Sequence, residues 1–224
     1  MLLTPDTFVR ASLPGMVNAT AVVHVGPAAG AKFTEYTAEL RAGGSFGPVR
    51  QERFVYALEG EIRIGECTLG PGGYAYLPPG FDASVVSADG ARAAVIERDY
   101  ASLEGNAVPE PLFGCENSIA PTLLEDSGIE VRALLPAGAA FDFAVNTLTY
   151  PPGAALPMVE LHIMEHGLLM LAGGGIYRLG ESWYPVTAGD FIWMAPYCPQ
   201  WFGALGKTPA RYLLYKDWNR HPLP

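Results

Sequence analysis

The feature that most constrains this chain is an internal duplication whose period is about half of its length. Three segments of the first half recur in the same order in the second half. They read PAAGAKF, YALEGEI and GGYAYLPPG in the first half, and PAGAAF, LMLAGGGI and GDFIWMAP in the second. The equivalent residues Gly60 and Gly173 lie 113 positions apart, and Gly73 and Gly189 lie 116 positions apart. A period this long predicts a duplicated domain and excludes a solenoid of short repeats.

Both halves have the pattern of short strands. Runs rich in Val, Ile, Tyr, Phe and Trp alternate with turn residues, and the 224 residues include 26 glycines and 20 prolines. This pattern is typical of antiparallel sandwiches and barrels. Helical periodicity is scarce, and the best candidate for a short helix is PTLLED, residues 121–126. The chain is therefore predicted to be all-β with few short helices.

The stretch with the least pattern lies near the middle of the chain. Residues 103–118 read LEGNAVPEPLFGCENS, with two prolines and several turn-forming residues. Such a composition favours a linker. We therefore predict an N-terminal domain over residues 1–105 and a C-terminal domain over residues 106–224.

Charge and apolar patterning exclude several classes of partner. The chain has 14 basic and 23 acidic residues, a net charge of −9, which opposes binding to nucleic acid or to anionic membranes. No segment approaches the roughly 18 apolar residues of a membrane span or shows the pattern of a signal peptide. The three cysteines are scattered and form no CxxC motif. We expect a cytoplasmic protein with a small-molecule partner.

Two of the four histidines lie within the short segment ELHIMEH, residues 160–166. On a strand the side chains of Glu160, His162 and His166 would project from one face. A carboxylate and two imidazoles together can bind Mn²⁺, Fe²⁺ or Zn²⁺. Hydrogen-bonded histidines in an ordinary polar patch would give the same spacing. The spacing alone leaves both interpretations open.

The second half resembles the metal-binding motifs of the cupin superfamily, which pair G…H-x-H-x3-E…G with G-x5-P…H. Glu160 and His162 occupy the two usual histidine positions, and His166 occupies the usual glutamate position. Gln200 falls where the last histidine ligand would be. The resemblance therefore implies a metal-ligand set of Glu160, His162, His166 and Gln200.

This unusual ligand set, together with residues 164–220, resembles the (S)-ureidoglycine aminohydrolase family. The likeness extends into the first half through LRAGG, YALEGEI and GGYAYLPPG. The resemblance implies a bicupin, with two tandem jelly-roll barrels, and Mn²⁺ as cofactor, although another divalent metal could serve. It also implies hydrolysis of (S)-ureidoglycine to (S)-ureidoglycolate and ammonia in the breakdown of purines through allantoin. A homo-oligomer is expected.

The same resemblance implies further site residues. Tyr177, Tyr212 and Lys216 match positions that the family uses around its substrate, and Glu160 and Lys216 are the candidate proton-transfer groups. Tyr212 and Lys216 also share a strand face by parity. Without the resemblance, Lys216 would be interpreted as a solvated lysine at the end of a strand.

The first half departs from every metal-binding pattern. Its equivalent positions hold Gly47, Val49, Arg53 and Ser84, which are not a set of donors for a divalent ion. We expect this barrel to hold no metal and to serve as a scaffold.

Two other functions compete with the hydrolase. Cupins also support Fe²⁺ dioxygenases, and consumption of oxygen would identify one. A non-catalytic cupin that binds a small molecule would bind ureido acids tightly without releasing ammonia.

Overall fold

A computed structural model of the protein describes residues 1–124 and 127–220. Within these residues the fold is all-β, as predicted, with twenty strands and no α-helix. Three 3-10 helices cover Pro5–Thr7, Pro27–Ala29 and Glu116–Ser118. In this part of the chain no helix has the length and apolar character needed to cross a membrane.

The chain divides into two compact units. The N-terminal unit comprises Phe8–Ser118, and the C-terminal unit comprises Met1–Thr7 with Ile119–Pro224. Residues 106–118, which the sequence analysis assigned to the C-terminal domain, therefore group with the N-terminal unit. The physical reason is a strand at Leu112–Cys115, which pairs with Gly73–Leu77 of the N-terminal unit.

One antiparallel sheet of ten strands forms the N-terminal unit. Strand β1 (Leu2–Leu3) comes before this sheet in sequence but belongs to the C-terminal unit. The strands of the N-terminal unit are β2 (Arg10–Ala11), β3 (Met16–Val25), β4 (Thr34–Phe46), β5 (Glu52–Gly60), β6 (Ile62–Ile64), β7 (Cys67–Leu69), β8 (Gly73–Leu77), β9 (Val85–Ser87), β10 (Ala91–Arg98) and β11 (Leu112–Cys115). The order is β11-β8-β5-β10-β4-β9-β6-β7, with β3 paired to β4 and β2 to β3.

The C-terminal unit contains a sheet of seven strands and a sheet of three. Besides β1, its strands are β12 (Thr122–Leu124), β13 (Ile129–Ala133), β14 (Phe143–Tyr150), β15 (His166–Ala172), β16 (Gly174–Leu179), β17 (Ser182–Thr187), β18 (Phe191–Met194), β19 (Gln200–Ala204) and β20 (Ala210–Asp217). The larger sheet has the order β1-β18-β15-β20-β14-β13-β12, and the smaller has the order β17-β16-β19. An apolar core that includes Leu168, Tyr150 and Phe202 draws its residues from both sheets.

The short helix predicted from PTLLED is wrong. Thr122–Leu124 forms β12, because it pairs in antiparallel register with β13, from Thr122 opposite Val131 to Leu124 opposite Ile129. Tertiary pairing here overrides a weak local preference. Glu125 and Asp126 of the same segment lie outside the described residues.

The glycines that revealed the duplication have a common structural reason. Gly60 and Gly173 have φ angles of 69° and 64°, in the left-handed region that favours glycine. A Cβ on Gly60 would lie 2.4 Å from the carbonyl oxygen of Gly90, and one on Gly173 would lie 2.5 Å from that of Pro209. Any larger residue would therefore displace the backbone of the neighbouring turn in either unit.

Strand register makes the two units comparable residue by residue. In the N-terminal unit Arg53 of β5 lies opposite Glu97 of β10. In the C-terminal unit His166 of β15 lies opposite Lys216 of β20. Arg53 and His166 each precede the equivalent glycine of their unit by seven residues. The pair Arg53 and Glu97 therefore corresponds to the pair His166 and Lys216.

Candidate active site

A cavity of about 210 Å³ opens in the C-terminal unit. All seven residues that the sequence analysis placed at the site line it. These are Glu160, His162, His166, Tyr177, Gln200, Tyr212 and Lys216, and the other lining residues are Leu124, Val131, Asn146, Leu148, Leu156, Met164 and Leu214. Polar groups and apolar walls in one concave site are typical of a small-molecule pocket.

The single strand predicted for residues 160–166 is wrong. Glu160 forms an isolated bridge with Gln200, in which each backbone N–H donates to the other carbonyl oxygen at 2.8 and 2.9 Å. Residues 161–165 are irregular, and β15 begins only at His166. The three side chains thus reach the cavity from a bridge, a loop and a strand end, and not by strand alternation.

Backbone hydrogen bonds fix the loop that carries His162. The N–H of Tyr197 donates to the carbonyl oxygen of His162 at 2.6 Å. Tyr197 has a φ of 63°, which is uncommon for a residue with a side chain. The N–H of Glu165 donates to Oδ1 of Asp217 at 2.7 Å. These bonds tie the loop to the turn before β19 on one side and to the end of β20 on the other.

Three of the four predicted metal donors lie close together, and the fourth, Gln200, is hydrogen-bonded to Tyr177. His162 Nε2 lies 3.0 Å from Glu160 Oε2, and the ring centroids of His162 and His166 lie 5.0 Å apart. The Tyr177 hydroxyl donates to Gln200 Oε1 at 2.7 Å. Adjacent ligands on an octahedral ion with bonds of about 2.1 Å stand about 3 Å apart. The separation of the Glu160 and His162 donor atoms is therefore compatible with two ligands of one ion.

The donor set fits a divalent cation in chemical kind and in location. One carboxylate, two imidazoles and one carboxamide oxygen face the same cavity, and first-row divalent ions accept such ligands. Among the described residues, however, no three His, Cys, Asp or Glu side chains are already arranged to hold a metal ion. An ion held at this cavity would take the carboxamide oxygen of Gln200 as a ligand beside Glu160, His162 and His166.

Burial sets the protonation of His166. Burial, and then the neighbouring His162 and Lys216, lower the pKa of His166 to about 3. At neutral pH its imidazole is uncharged, and an uncharged imidazole has the lone pair that ligation requires. The residue is 4% exposed and lines the cavity, so its ring is largely shielded from bulk water.

Lys216 places a cation beside the donors. Its ammonium lies 4.2 Å from the centroid of the Trp218 ring, and its strand position lies opposite His166. Burial lowers the pKa of Lys216, and the Glu160 carboxylate opposes that shift. A partly desolvated ammonium can bind a carboxylate strongly and releases its proton more readily than a fully solvated one.

Two tyrosine hydroxyls are bound within the protein. The hydroxyls of Tyr150 and Tyr212 share a hydrogen bond of 2.6 Å, and Tyr177 donates to Gln200. Burial raises the pKa of Tyr177 and of Tyr212 well above the usual tyrosine value, so both hydroxyls keep their protons. Tyr177 thereby holds the oxygen of Gln200 in place.

Sequence reasoning missed one polar residue of the cavity. Asn146 lies on β14, and its side chain joins those of Leu148 and Tyr150 on the inward face. The signal was available in the segment FAVNTLTY, where a polar residue interrupts the inward-facing apolar series.

The equivalent region of the N-terminal unit contains an ion pair. Arg53 Nη2 lies 2.7 Å from Glu97 Oε1, and Arg53 Nη1 donates to the carbonyl oxygen of Gly47 at 2.8 Å. The Tyr36 hydroxyl donates to the same Glu97 oxygen at 2.8 Å. The guanidinium also lies 5.0 Å from the centroid of the Phe46 ring. An internal cation therefore occupies the neighbourhood that corresponds to the metal donors.

Comparison with known proteins places the chain in a family. The cupin domain family matches residues 146–215. The (S)-ureidoglycine aminohydrolase of Arabidopsis thaliana is 43% identical over 99% of this chain and 76% of its own length. The (S)-ureidoglycine aminohydrolase of Escherichia coli K12 is 34% identical over 98% of this chain and 88% of its own length.

A solved structure extends the likeness to three dimensions. The crystal structure of protein Ylba from E. coli superposes with a TM-score of 0.86 at 32% identity, over 98% of this chain and 91% of that chain. The duplicated all-β architecture is thus that of a bicupin. By its sequence, its fold and its extent, the chain belongs to the (S)-ureidoglycine aminohydrolase family of the cupin superfamily.

Proposed function

We propose that this protein hydrolyses (S)-ureidoglycine to (S)-ureidoglycolate and ammonia, a step of purine catabolism. The observation that carries the proposal is the cavity itself, where a carboxylate, two imidazoles, a carboxamide and an ammonium meet. Relatives that match almost the whole chain have this activity in their names. The reaction exchanges the α-amine of the substrate for a hydroxyl from water, so the site must bind a small acid and manage protons.

Glu160, His162, His166 and Gln200 are the residues that would hold a divalent ion, and we propose Mn²⁺. The ion would supply a Lewis acid that anchors and polarises the oxygens of the substrate. The chain prepares its donors for that role in two ways. Burial keeps His166 uncharged, and the Tyr177 hydroxyl fixes Gln200 Oε1.

Lys216 and Glu160 are the proposed substrate and proton-transfer groups. The Lys216 ammonium is positioned to bind the substrate carboxylate, because it lies at the cavity beside His166 and makes no ion pair with the described residues. Glu160 would accept a proton from the attacking water, and Lys216 would donate one to the departing amine. Tyr177 and Tyr212 complete the polar wall.

The direct test is release of ammonia from freshly generated (S)-ureidoglycine by the purified protein, combined with elemental analysis of bound metal. We expect stoichiometric manganese and ammonia release that falls when a chelator removes the ion. Ammonia release that is absent from manganese-loaded protein would refute the proposal.

The two competing functions have distinct readouts. An Fe²⁺ dioxygenase would consume oxygen with an organic acid substrate, and a binding cupin would retain a ureido acid without turnover. We expect neither, because a family member with these donors would be a hydrolase. An oxygen electrode and the same ammonia assay separate all three cases.

We also propose that the protein is a cytoplasmic homo-oligomer, as the sequence analysis predicted. The net charge of −9 and the three free cysteines are compatible with a reducing, aqueous compartment. Light scattering coupled to size exclusion would measure the number of subunits.

A further inference from the structure

The cavity has one wall whose role the proposed reaction does not yet explain. The side chains contributed by β12, β13 and β14 to this wall are Leu124, Val131, Leu148 and Asn146. Three of them are apolar, and Asn146 is the single polar side chain that these three strands contribute. A half-buried carboxamide on an apolar wall is expected to have a partner, because unpaired polar groups in such places are costly.

Within residues 1–124 and 127–220, the Asn146 carboxamide makes no hydrogen bond to the protein. The other polar groups of the cavity are already engaged or belong to the proposed metal set. Tyr212 shares its hydroxyl with Tyr150, and Tyr177 donates to Gln200. Asn146 and Lys216 are therefore the polar groups that remain available for a bound molecule.

Strand register places these two groups next to each other on one face. Asn146 lies opposite Leu214, and Lys216 is two residues further along β20. Diagonal neighbours of this kind are about 7 to 8 Å apart, within reach of one small molecule that bonds to both side chains. A ligand held there would carry an anion at the end near Lys216 and an amide-like group at the end near Asn146.

Carboxamides recognise ureido groups by chemical complementarity. The Nδ2 group of asparagine donates to a carbonyl oxygen while its Oδ1 accepts from an N–H₂ group. A terminal –CO–NH₂ offers both partners in the same plane. A ureido acid has such a group at one end and a carboxylate at the other, which matches the pair of Asn146 and Lys216.

We propose that Asn146 is a specificity residue that binds the terminal ureido group, while Lys216 binds the carboxylate. This inference rests on the proposed function, because it takes a ureido acid as the substrate. It adds Asn146 to the substrate-binding residues that the resemblance implied, which are Tyr177, Tyr212 and Lys216. Asn146 contacts the substrate away from the carbon where the amine is exchanged.

The test compares two stable analogues that differ at one group. N-carbamoylglycine carries the terminal N–H₂, and N-acetylglycine carries a methyl group in its place. Their dissociation constants are measured by calorimetry on manganese-supplemented protein. We expect the intact protein to bind N-carbamoylglycine about tenfold more tightly, and the Asn146→Leu variant to bind both analogues about equally.

A matched control uses the opposite face of the same strand. Thr149 is also half-buried on β14, but its side chain does not line the cavity. The Thr149→Val variant should keep the tenfold ratio. Asn146→Ala serves as a second variant should Asn146→Leu unfold, and thermal unfolding curves verify that each variant is folded.

The outcomes separate this inference from the proposed function. A ratio that stays near ten in folded Asn146 variants, a ratio near one in the intact protein, or no binding of either analogue at millimolar concentration overturns the inference. Loss of the ratio supports it even if the intact protein releases no ammonia from (S)-ureidoglycine. In that case the proposed reaction is wrong, and Asn146 is a ureido-binding residue in a site that catalyses a different reaction or only binds its ligand.

Discussion

The two units of this chain place different charged and polar residues at the same strand positions. In the N-terminal unit, Arg53 and Glu97 neutralise each other across β5 and β10. In the C-terminal unit, His166 and Lys216 occupy the corresponding positions, and neither has an opposite charge directly across from it. The first pair is satisfied by the protein alone, whereas the second leaves a ligand group and an ammonium available at a cavity.

This difference shows how a duplicated fold separates stability from function. The interior of the N-terminal unit contains an apolar core and an ion pair whose two members also hydrogen-bond to Tyr36 and to the backbone of Gly47. The C-terminal unit keeps polar groups whose bonds are incomplete, which is typical of sites that bind and react. The comparison predicts that substitutions in the C-terminal unit mainly lower activity, and that substitutions in the N-terminal unit mainly lower stability.

The largest expected effect comes from removing a donor in the C-terminal unit. His162→Ala should lower ammonia release by at least about 1,000-fold and remove bound manganese, because an incomplete ligand set cannot hold the ion. Assays of ammonia and of metal content measure both. The matched change is Val49→Ala at the equivalent position of the N-terminal unit, which should leave both values within about twofold. Equal losses in the two variants would contradict the division of roles.

The next largest effect is structural and lies in the N-terminal unit. Arg53→Met should lower the free energy of unfolding by about 3 kcal/mol, because it leaves the Glu97 carboxylate largely buried without its cation. Chemical denaturation measures the change, and metal content should stay constant. Arg92→Met removes the exposed pair with Glu59 and should cost less than about 1 kcal/mol. An Arg53 variant as stable as the Arg92 variant would show that the internal pair is dispensable.

A smaller effect distinguishes substrate binding from metal binding. Lys216→Met should lower kcat/KM for (S)-ureidoglycine by about 30-fold, the equivalent of about 2 kcal/mol for a charged hydrogen bond, and spare bound manganese. Lys207→Met, on an exposed lysine of the same unit, is the control and should change neither. Should Lys216→Met also lose the ion, Lys216 would belong with the metal site.

The last effect is absent at low pH, and it concerns a buried carboxyl of the N-terminal unit. Both carboxyl oxygens of Glu35 have no hydrogen-bond partner among the described residues, and burial raises the pKa of Glu35 to about 8 from its ordinary 4.5. The folded state therefore holds a proton that the unfolded state releases, so this contribution to stability is complete below pH 4.5 and is lost as the pH rises to 8. Glu35→Gln should be more stable than the intact protein at pH 8 by up to about 4 kcal/mol, at about 1.4 kcal/mol for each unit of pKa shift, with no difference at pH 4.

Denaturation midpoints at the two pH values measure the effect of Glu35→Gln. Glu66→Gln, on an exposed glutamate of the same unit, should show no dependence of this kind. A Glu35 variant that gains nothing between pH 4 and pH 8 would indicate that the carboxyl ionises freely in the folded state.

Much of the fold could be predicted because its causes are local. Gly60 and Gly173 recur because each permits a left-handed turn against neighbouring backbone, and that requirement is visible as a repeated residue. The alternation in β20 correctly placed Tyr212 and Lys216 on one face. Residues 112–115 could not be assigned to their unit, because the pairing of β11 with β8 is a contact between segments far apart in sequence.

The candidate site was predictable only where family motifs or strand parity applied. Glu160 and His162 reach the cavity through a bridge to Gln200 and a loop, and no periodicity encodes such a path. The partner of Arg53 is Glu97, which lies 44 residues away, so the sequence showed a missing ligand but not the ion pair that replaces it. Asn146 could be recognised as a site residue only from the three-dimensional structure, because its carboxamide, unpaired among the described residues, is notable only where it lines the cavity.

The guanidinium of Arg53, unlike a bound metal ion, is part of the polypeptide. A chelator cannot remove it, a competing cation cannot displace it, and its presence does not depend on the concentration of metal in the cell. The N-terminal half should therefore mature as soon as it is synthesised, whatever the concentration of free manganese. A shortage of the metal would then be felt at the C-terminal site alone, and the N-terminal unit would fold in the same way with or without it.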